Sequence, residues 1–145
     1  MTKNYYFKGK SRYAMVYKPD EKYDVYKIGL YMDDDSFNLF EESGCQLKVN
    51  EDDEGRFVTF KRKTQELRGS DLRDNGPPKV LDKDGESFSE NIGNGSEVIV
   101  KVEMFDTRNG VSHRLAGIMV EEHIPYEGGS AETVKPDSLN DVPEF

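Results

Sequence analysis

Apolar and polar side chains alternate with a period of two along much of this chain, and this pattern constrains the fold more than any other feature. In "SEVIVKVEMF" every second residue from Val98 to Met104 is apolar, and Lys101 and Glu103 lie between them. The turn sequence "DTRNG" follows, and then "VSHRLAGIMVEEHIPY". Because Asn-Gly favours a tight turn between antiparallel strands, this segment predicts a β-hairpin.

A second alternating segment covers residues 5–17. The odd positions are apolar and are expected to face the core: Tyr5, Phe7, Tyr13, Met15 and Tyr17. The even positions are polar or amphipathic and are expected to face outward: Tyr6, Lys8, Lys10 and Arg12. This alternation predicts a half-buried strand.

Two shorter segments, "VYKIGLYM" (25–32) and "FVTFKRK" (57–63), also have the composition of strands. Between them "DDDSFNLFEESG" predicts one short helix, capped by an Asp or Ser and ended by Gly44. Residues 69–95 are rich in loop-forming residues, with a turn at Asp84-Gly85. Five strands, one helix and Gly/Pro-rich turns predict an all-β fold, a small closed or partly open barrel.

The length of 145 residues fits one domain. A hydrophobic fraction of 34% equals the charged fraction, which predicts a small core with extended loops. The barrel is assigned to residues 1–126, and the aperiodic residues 127–145 are predicted to be a disordered acidic tail ending in Phe145. A single cysteine fits a reducing cytoplasm, and neither a signal peptide nor a membrane-spanning segment is recognisable.

The charge of the chain is segregated. Residues 1–18 hold five basic residues and no acidic one, and residues 56–68 hold five basic residues and one acidic residue. These two segments carry +9 although the whole chain carries −9. Because salt screens charges beyond about 10 Å, a local basic surface can bind a polyanion on an acidic protein.

Few residues are available for catalysis. The chain has two histidines, His113 and His123, and one cysteine, Cys45, which are too few for a zinc site. The segment "DKDGE" lacks the full pattern of a calcium loop. The acidic clusters at 33–35 and 51–54 leave a metal-dependent nuclease as an alternative, but loop roles explain them better. We therefore expect no enzyme activity and no cofactor.

Aromatic and cationic residues interleave on two of the predicted strands. Bases of single-stranded nucleic acid stack on aromatic rings while Lys and Arg neutralise phosphates. The sequence therefore predicts a binding surface for single-stranded nucleic acid, although Phe57 fits a core position equally well. The candidate residues are Tyr6, Lys8, Lys10, Arg12, Phe57, Lys61, Arg62, Lys63 and, at the hairpin tip, Arg108.

In the order of its segments, the sequence resembles the single-stranded-DNA-binding, helix-destabilising replication proteins of tailed podophages. The matching stretches are "YAMVYKPDEKYDVYKIGLYM", "GRFVTFKRKTQ", "KVLDKDGESFSENIGNGSEVIVKVEMF" and "GVSHRLAGIMVEEHIPYE", followed by the acidic end with its terminal Phe. The resemblance covers roughly residues 12–145. Relative to this family the body is compact, and the tail has only five carboxylates.

The resemblance implies an OB-fold, a five-stranded Greek-key barrel that binds single-stranded DNA without sequence preference. It also implies that the tail contacts replication proteins such as a DNA polymerase or a helicase/primase, and it leaves a homodimer open. The tail residues that would make these contacts are Asp137, Asp141, Pro143, Glu144 and Phe145. The remaining alternative is an acidic protein-binding module that mimics DNA and inhibits a host enzyme.

Overall fold

The computed structural model of the protein describes residues 2–68, 70–124 and 138. Within them the secondary structure consists of β1 (Thr2–Asp20), β2 (Val25–Met32), α1 (Asp34–Ser43), β3 (Asn50–Asp52), β4 (Gly55–Lys63), β5 (Gln65–Arg68), β6 (Asp71–Asp74), β7 (Lys79–Asp82), β8 (Glu97–Thr107) and β9 (Gly110–Glu122). One sheet has the order β3-β4-β2-β1-β8-β9-β7, and β5 pairs with β6 in a separate ribbon. The predicted all-β, OB-like barrel with one short helix is confirmed, and the five predicted strands are β1, β2, β4, β8 and β9.

The barrel is organised around the long strand β1. Its first half pairs with β8 from Thr2 to Lys10, and its second half pairs with β2 from Gly9 to Asp20. The two partners overlap at Gly9, where the β2 backbone comes so close that a Cβ atom would lie 2.1 Å from the carbonyl oxygen of Tyr31. Glycine is therefore required at the point where the strand passes from one partner to the other.

Side chains, not a β-ladder, join β4 to β9 and close the barrel. The backbone N–H of Lys61 donates to Nε2 of His113 at 3.1 Å. One residue further along, Nη1 of Arg62 donates to the carbonyl oxygen of Leu115 at 3.2 Å. Both bonds satisfy edge groups that would otherwise lack a partner strand.

A bulge in β1 reverses its inward and outward faces. Phe7 and Ser11 are buried, but Val16 is the next fully buried side chain, so the buried positions change from odd to even. The register with β2 shifts between Arg12 and Met15, and Tyr13 has φ 45°. An extra residue in one strand moves every later side chain to the opposite face. The prediction that Tyr13 and Met15 face the core is therefore wrong, and both are exposed.

The helix α1 covers one end of the barrel and completes the core. Asp33 caps its first turn by accepting a hydrogen bond from the Ser36 N–H, and Gly44 ends it in the left-handed conformation. The ring of Phe40 meets those of Phe7 and Phe60 edge to face, while Phe7 and Phe60 stack at 5.5 Å. The predicted helix and both of its ends are confirmed.

The segment predicted as loop-rich, residues 69–95, contains two short strands that the sequence did not reveal. β6 pairs with β5, and β7 runs parallel to β9. Each is four residues long, which is too short for a period of two to stand out. The turn at Asp84-Gly85 is confirmed, because the Gly85 N–H donates to the Asp82 carbonyl oxygen at 3.0 Å.

Candidate nucleic-acid interface

Basic and aromatic side chains collect on the outside of the barrel where β1, β2 and β4 lie side by side. Residues paired across antiparallel strands project to the same side of a sheet. In this register Lys10 pairs with Tyr31, Arg12 with Gly29, and Lys27 with Lys61. We call this surface the β1–β2–β4 face; its residues are Lys10, Arg12, Tyr13, Lys27, Tyr31, Phe57, Lys61 and Lys63.

Arg12 lies at the centre of this face, between two aromatic rings. Its guanidinium carbon is 4.1 Å from the ring centroid of Phe57 and 4.5 Å from that of Tyr13. Gly29 leaves room for this side chain, because a Cβ there would approach the Arg12 Cβ to 3.2 Å. Phe57 in turn meets Tyr31 edge to face at 5.5 Å. The result is a continuous stack whose outermost ring, that of Tyr13, is 61% exposed.

A carboxylate at the end of β3 holds the stack in place. Asp52 accepts hydrogen bonds from Nε of Arg12 at 3.0 Å and from the hydroxyl of Tyr31, both on the same oxygen. The Tyr31 hydroxyl, together with the Arg12 guanidinium, holds the pKa of Asp52 below its usual value. Asp52 is therefore ionised at neutral pH and compensates the charge of Arg12. Arg12 acts here as a stacking platform and not as a free cation.

Tyr13 is the functional candidate that the sequence pattern concealed. The alternation of residues 5–17 assigned its ring to the core, and no signal within that segment reveals the bulge. The bulge is fixed from a distant loop, since the Tyr13 N–H donates to Oδ1 of Asn94 at 2.7 Å. The ring that the face offers to a ligand therefore depends on residues 81 positions away in the sequence.

The freely accessible cations of this face are lysines. Lys10, Lys61 and Lys63 are exposed, whereas Lys27 is paired with Asp20 at 2.8 Å. The loop after β1 adds Tyr23, which is 62% exposed with the Lys22 ammonium 5.3 Å from its ring centroid. An aromatic residue within the polar loop "KPDEKYD" is a signal that sequence reasoning could have used.

Two predicted site residues prove to be structural. Phe57 is only 7% exposed and Arg12 covers its ring, so its face is not free to stack on a base. Arg62 uses its donors on backbone carbonyls: Nε on Gly76, Nη1 on Leu115 and Nη2 on Asn75. Burial also lowers the pKa of Arg62 from its ordinary value. The geometry therefore argues against the predicted DNA contacts of both side chains.

The remaining predicted residues are dispersed. Tyr6 and Lys8 point outward as expected, but they lie on the half of β1 that pairs with β8 and not with β2. Arg108 is exposed at the tip of the β8–β9 hairpin. The tail residues Asp137, Asp141, Pro143, Glu144 and Phe145 lie outside the described residues.

The acidic clusters have structural roles within the part of the chain that the structure describes. Asp33 caps α1, and Asp52 binds Arg12 and Tyr31. In residues 2–68 and 70–124 no three His, Cys, Asp or Glu side chains are grouped so that they could hold a metal ion. No helix in the same ranges is long and apolar enough to cross a membrane.

The fold is similar to solved structures of phage proteins. Against gp2.5, a single-stranded DNA binding protein encoded by bacteriophage T7, the TM-score is 0.63 at 18% identity, covering 99% of this chain and 96% of that one. Against the single-stranded DNA-binding protein from bacteriophage Enc34 the TM-score is 0.57 at 15% identity, covering 89% of this chain and 87% of that one. Against the C-terminal truncation of the Enc34 protein the TM-score is 0.55 at 13% identity, covering 85% of this chain and 87% of that one. No protein-family model and no curated protein sequence matches the chain. The similarity over nearly the whole length establishes a shared fold.

Proposed function

We propose that the protein is a non-catalytic single-stranded-DNA-binding protein that holds its ligand on the β1–β2–β4 face. The observation that carries this proposal is the exposed ring of Tyr13 stacked on Arg12 beside the exposed Lys10, on an OB-like barrel. OB-folds bind oligonucleotides on the face of their second and third long strands, which here are β2 and β4. The fold shared with two phage proteins of this function supports the same assignment.

The chemistry of the face determines which ligand it suits. A ring supported by a guanidinium presents a flat surface on which any base can stack, while lysines neutralise the adjoining phosphates. Stacking on Tyr13 requires a base that is free of its own neighbours, so single strands should be preferred to duplexes. Because a stacked ring reads the π-face and not the base edge, binding should be independent of sequence.

A titration of labelled single-stranded and duplex oligonucleotides of one sequence, at two salt concentrations, tests the proposal. If Lys10, Lys61 and Lys63 each neutralise one phosphate, log K should fall with log salt with a slope of about −2, from roughly −0.7 per contact. Equal affinity for duplex, or an affinity independent of salt, would contradict the proposal.

Substitutions at Tyr13 test the stacking contact separately. Tyr13→Phe keeps the ring and should bind normally. Tyr13→Asn removes the ring but tolerates the left-handed backbone at this position, so it should lose roughly tenfold in affinity at an unchanged salt slope, because stacking releases no counterions. Lys48→Gln, a charge removal in the exposed segment between α1 and β3, is the control for unspecific electrostatics. If Tyr13→Asn binds as well as Tyr13→Phe, the ring is not a contact.

We further propose that the protein coats and protects single-stranded DNA during phage replication and recombination in the cytoplasm of the infected host. In this proposal the tail recruits a DNA polymerase or a helicase/primase. The sequence supports a recruiting role, because residues 127–145 carry a net charge of −4 and include Phe145, an aromatic side chain that a pocket on a partner can bind.

Two truncations test the role of the tail. A protein of residues 1–126 should bind single-stranded DNA more tightly, because a tethered anion no longer competes for the lysines, and should lose its partners. Removing Phe145 alone should weaken partner capture and leave DNA affinity nearly unchanged. DNA titrations and pull-downs on both forms provide the measurement. Unchanged behaviour of the 1–126 form in both assays would show that the tail has neither role.

A further inference from the structure

A second exposed aromatic surface lies on the outside of β1, β8, β9 and β7. It forms a groove of about 430 Å³, and we call it the β1–β8–β9–β7 face; its lining residues are Tyr6, Lys79, Leu81, Ile99, Lys101, Ala116, Gly117, Ile118 and Met119. The Tyr6 ring is 56% exposed above it. The lining includes two lysines and no acidic residue, in a chain with 29 acidic and 20 basic residues.

Strand register brings these residues together in two rows. Tyr6 pairs with Lys101, Lys101 with Gly117, and Gly117 with Lys79. In the neighbouring row Lys8 pairs with Ile99, Ile99 with Met119, and Met119 with Leu81, so this row is apolar apart from Lys8. Since Gly117 has no side chain, a flat depression remains between the two lysines. An exposed ring, an apolar floor and flanking ammonium groups are the elements that bind single-stranded nucleic acid elsewhere.

This face is continuous with the β1–β2–β4 face through β1. Lys8 and Lys10 are both exposed at adjacent outward positions of that strand, between Tyr6 on one side and Arg12 on the other. Glu121 lies 3.6 Å from the Lys8 ammonium and partly compensates it. A single DNA strand that runs along β1 would therefore pass from Tyr13 to Tyr6 over these two lysines.

We propose that the β1–β8–β9–β7 face is a second contact for the same single-stranded DNA, with a base on Tyr6 and phosphates on Lys79 and Lys101. The charge of the groove favours a polyanion, and its apolar floor favours base faces. This inference rests on the proposed function, since it extends the path of the ligand beyond the first face. A short oligonucleotide should occupy the first face alone, whereas a long one should occupy both.

Two oligothymidylates of different length separate the two faces. One OB-fold occupies roughly 4–16 nucleotides, so an oligonucleotide of about 6 nucleotides lies near the lower end of this range and one of about 20 nucleotides exceeds it. The titrations use protein concentrations that do not saturate the DNA. The variant Tyr6→Thr and the double variant Lys79→Gln/Lys101→Gln should each weaken binding of the long oligonucleotide about tenfold and leave binding of the short one unchanged. Tyr6→Phe keeps the ring and should retain wild-type affinity. Acetylation of wild-type protein should be blocked at Lys79 and Lys101 by the long oligonucleotide only, and at Lys61 by both.

The outcomes separate this inference from the proposed function. Failure of the wild-type protein to bind either oligonucleotide refutes both. A second result overturns the second contact alone. In it the wild-type protein binds DNA, the Tyr6→Thr and double-lysine variants bind with unchanged affinity, and Lys79 and Lys101 are still acetylated in the presence of the long oligonucleotide. Equal losses for both oligonucleotides also overturn it, because the variants would then act on the first face.

Discussion

His113 should make the stability of the barrel depend on pH, because a neutral imidazole closes the gap between β4 and β9. Its Nε2 accepts the Lys61 N–H at 3.1 Å, so the proton of the neutral ring must be on Nδ1. The ring also packs edge to face against Phe60 at 6.3 Å between centroids. Burial, and then the nearby Lys61 ammonium, lower the pKa of His113 to about 4. A protonated ring could no longer accept the bond.

The magnitude follows from the difference between the folded and unfolded pKa values. An unfolded histidine titrates near 6.5, so between pH 6.5 and 4 the unfolded chain binds a proton at this side chain that the folded chain does not. The stabilisation is therefore complete above pH 6.5 and is lost as the pH falls. From pH 7 to pH 5 the loss is about 2 kcal/mol of unfolding free energy, and the full difference corresponds to about 3 kcal/mol.

The variant His113→Gln isolates this effect. Its amide oxygen can still accept the Lys61 N–H but does not titrate, so we expect a cost of about 1 kcal/mol at pH 7 from the lost ring packing on Phe60. At pH 5 the order should reverse, and the variant should be about 1 kcal/mol more stable than the wild type. Urea unfolding at both pH values, followed by circular dichroism, measures these differences.

His123→Gln is the matched control, since it removes the other histidine and leaves His113 with its contact to the Lys61 N–H in place. In that variant the single remaining imidazole can also be titrated directly by NMR, which should give a pKa for His113 near 4. The reasoning would be refuted if the unfolding free energies of wild type and His113→Gln changed by the same amount between pH 7 and pH 5. The imidazole would then titrate normally and would not close the barrel.

Three further substitutions test other contacts. Asp52→Asn keeps the acceptor for Tyr31 but leaves Arg12 uncompensated, so single-stranded DNA should bind more tightly with a salt slope steeper by about 0.7; weaker binding in a titration would mean that Asp52 positions Arg12 for the ligand. Ser96→Ala removes the buried acceptor of the Ile124 N–H and should lower the unfolding free energy by about 1–3 kcal/mol, measured with urea. Ser11→Ala should cost less, because the Gly93 carbonyl that Ser11 donates to still accepts from Ser96; equal costs would contradict this. Gly9→Ala forces the β1 and β2 backbones apart and should prevent folding, so a cooperative thermal transition near that of the wild type would contradict the close approach.

The features that the sequence predicted well depend on residues near each other in the chain. The alternation in β8 and the caps of α1 at Asp33 and Gly44 involve neighbours within a few positions, and the structure confirms them. The period of two in the strands also placed Lys10, Lys61 and Lys63 on exposed faces correctly. These signals are local, because a strand or a cap follows from its own residues.

The missed features depend on contacts between distant segments. Arg62 was expected to face a ligand, but carbonyl groups on the segment before β7 and on β9 take up its guanidinium. The pairing of Asp52 with Arg12 joins residues 40 positions apart. No periodicity encodes such partners, so composition could identify the basic segments but not which cations remain free.

The bulge in β1 links these observations to the site. In a regular strand neighbouring residues point to opposite faces, so the Arg12 guanidinium could not stack on the Tyr13 ring. The shift of register at Tyr13 brings both side chains to the outside of the barrel, where Arg12 also reaches Phe57. The bulge is held by Asn94 and by backbone bonds between Ser11 and the same loop. The loop "IGNGS" is therefore a determinant of the binding face even where it contacts no ligand, because it fixes the irregular position at Tyr13 that exposes the ring.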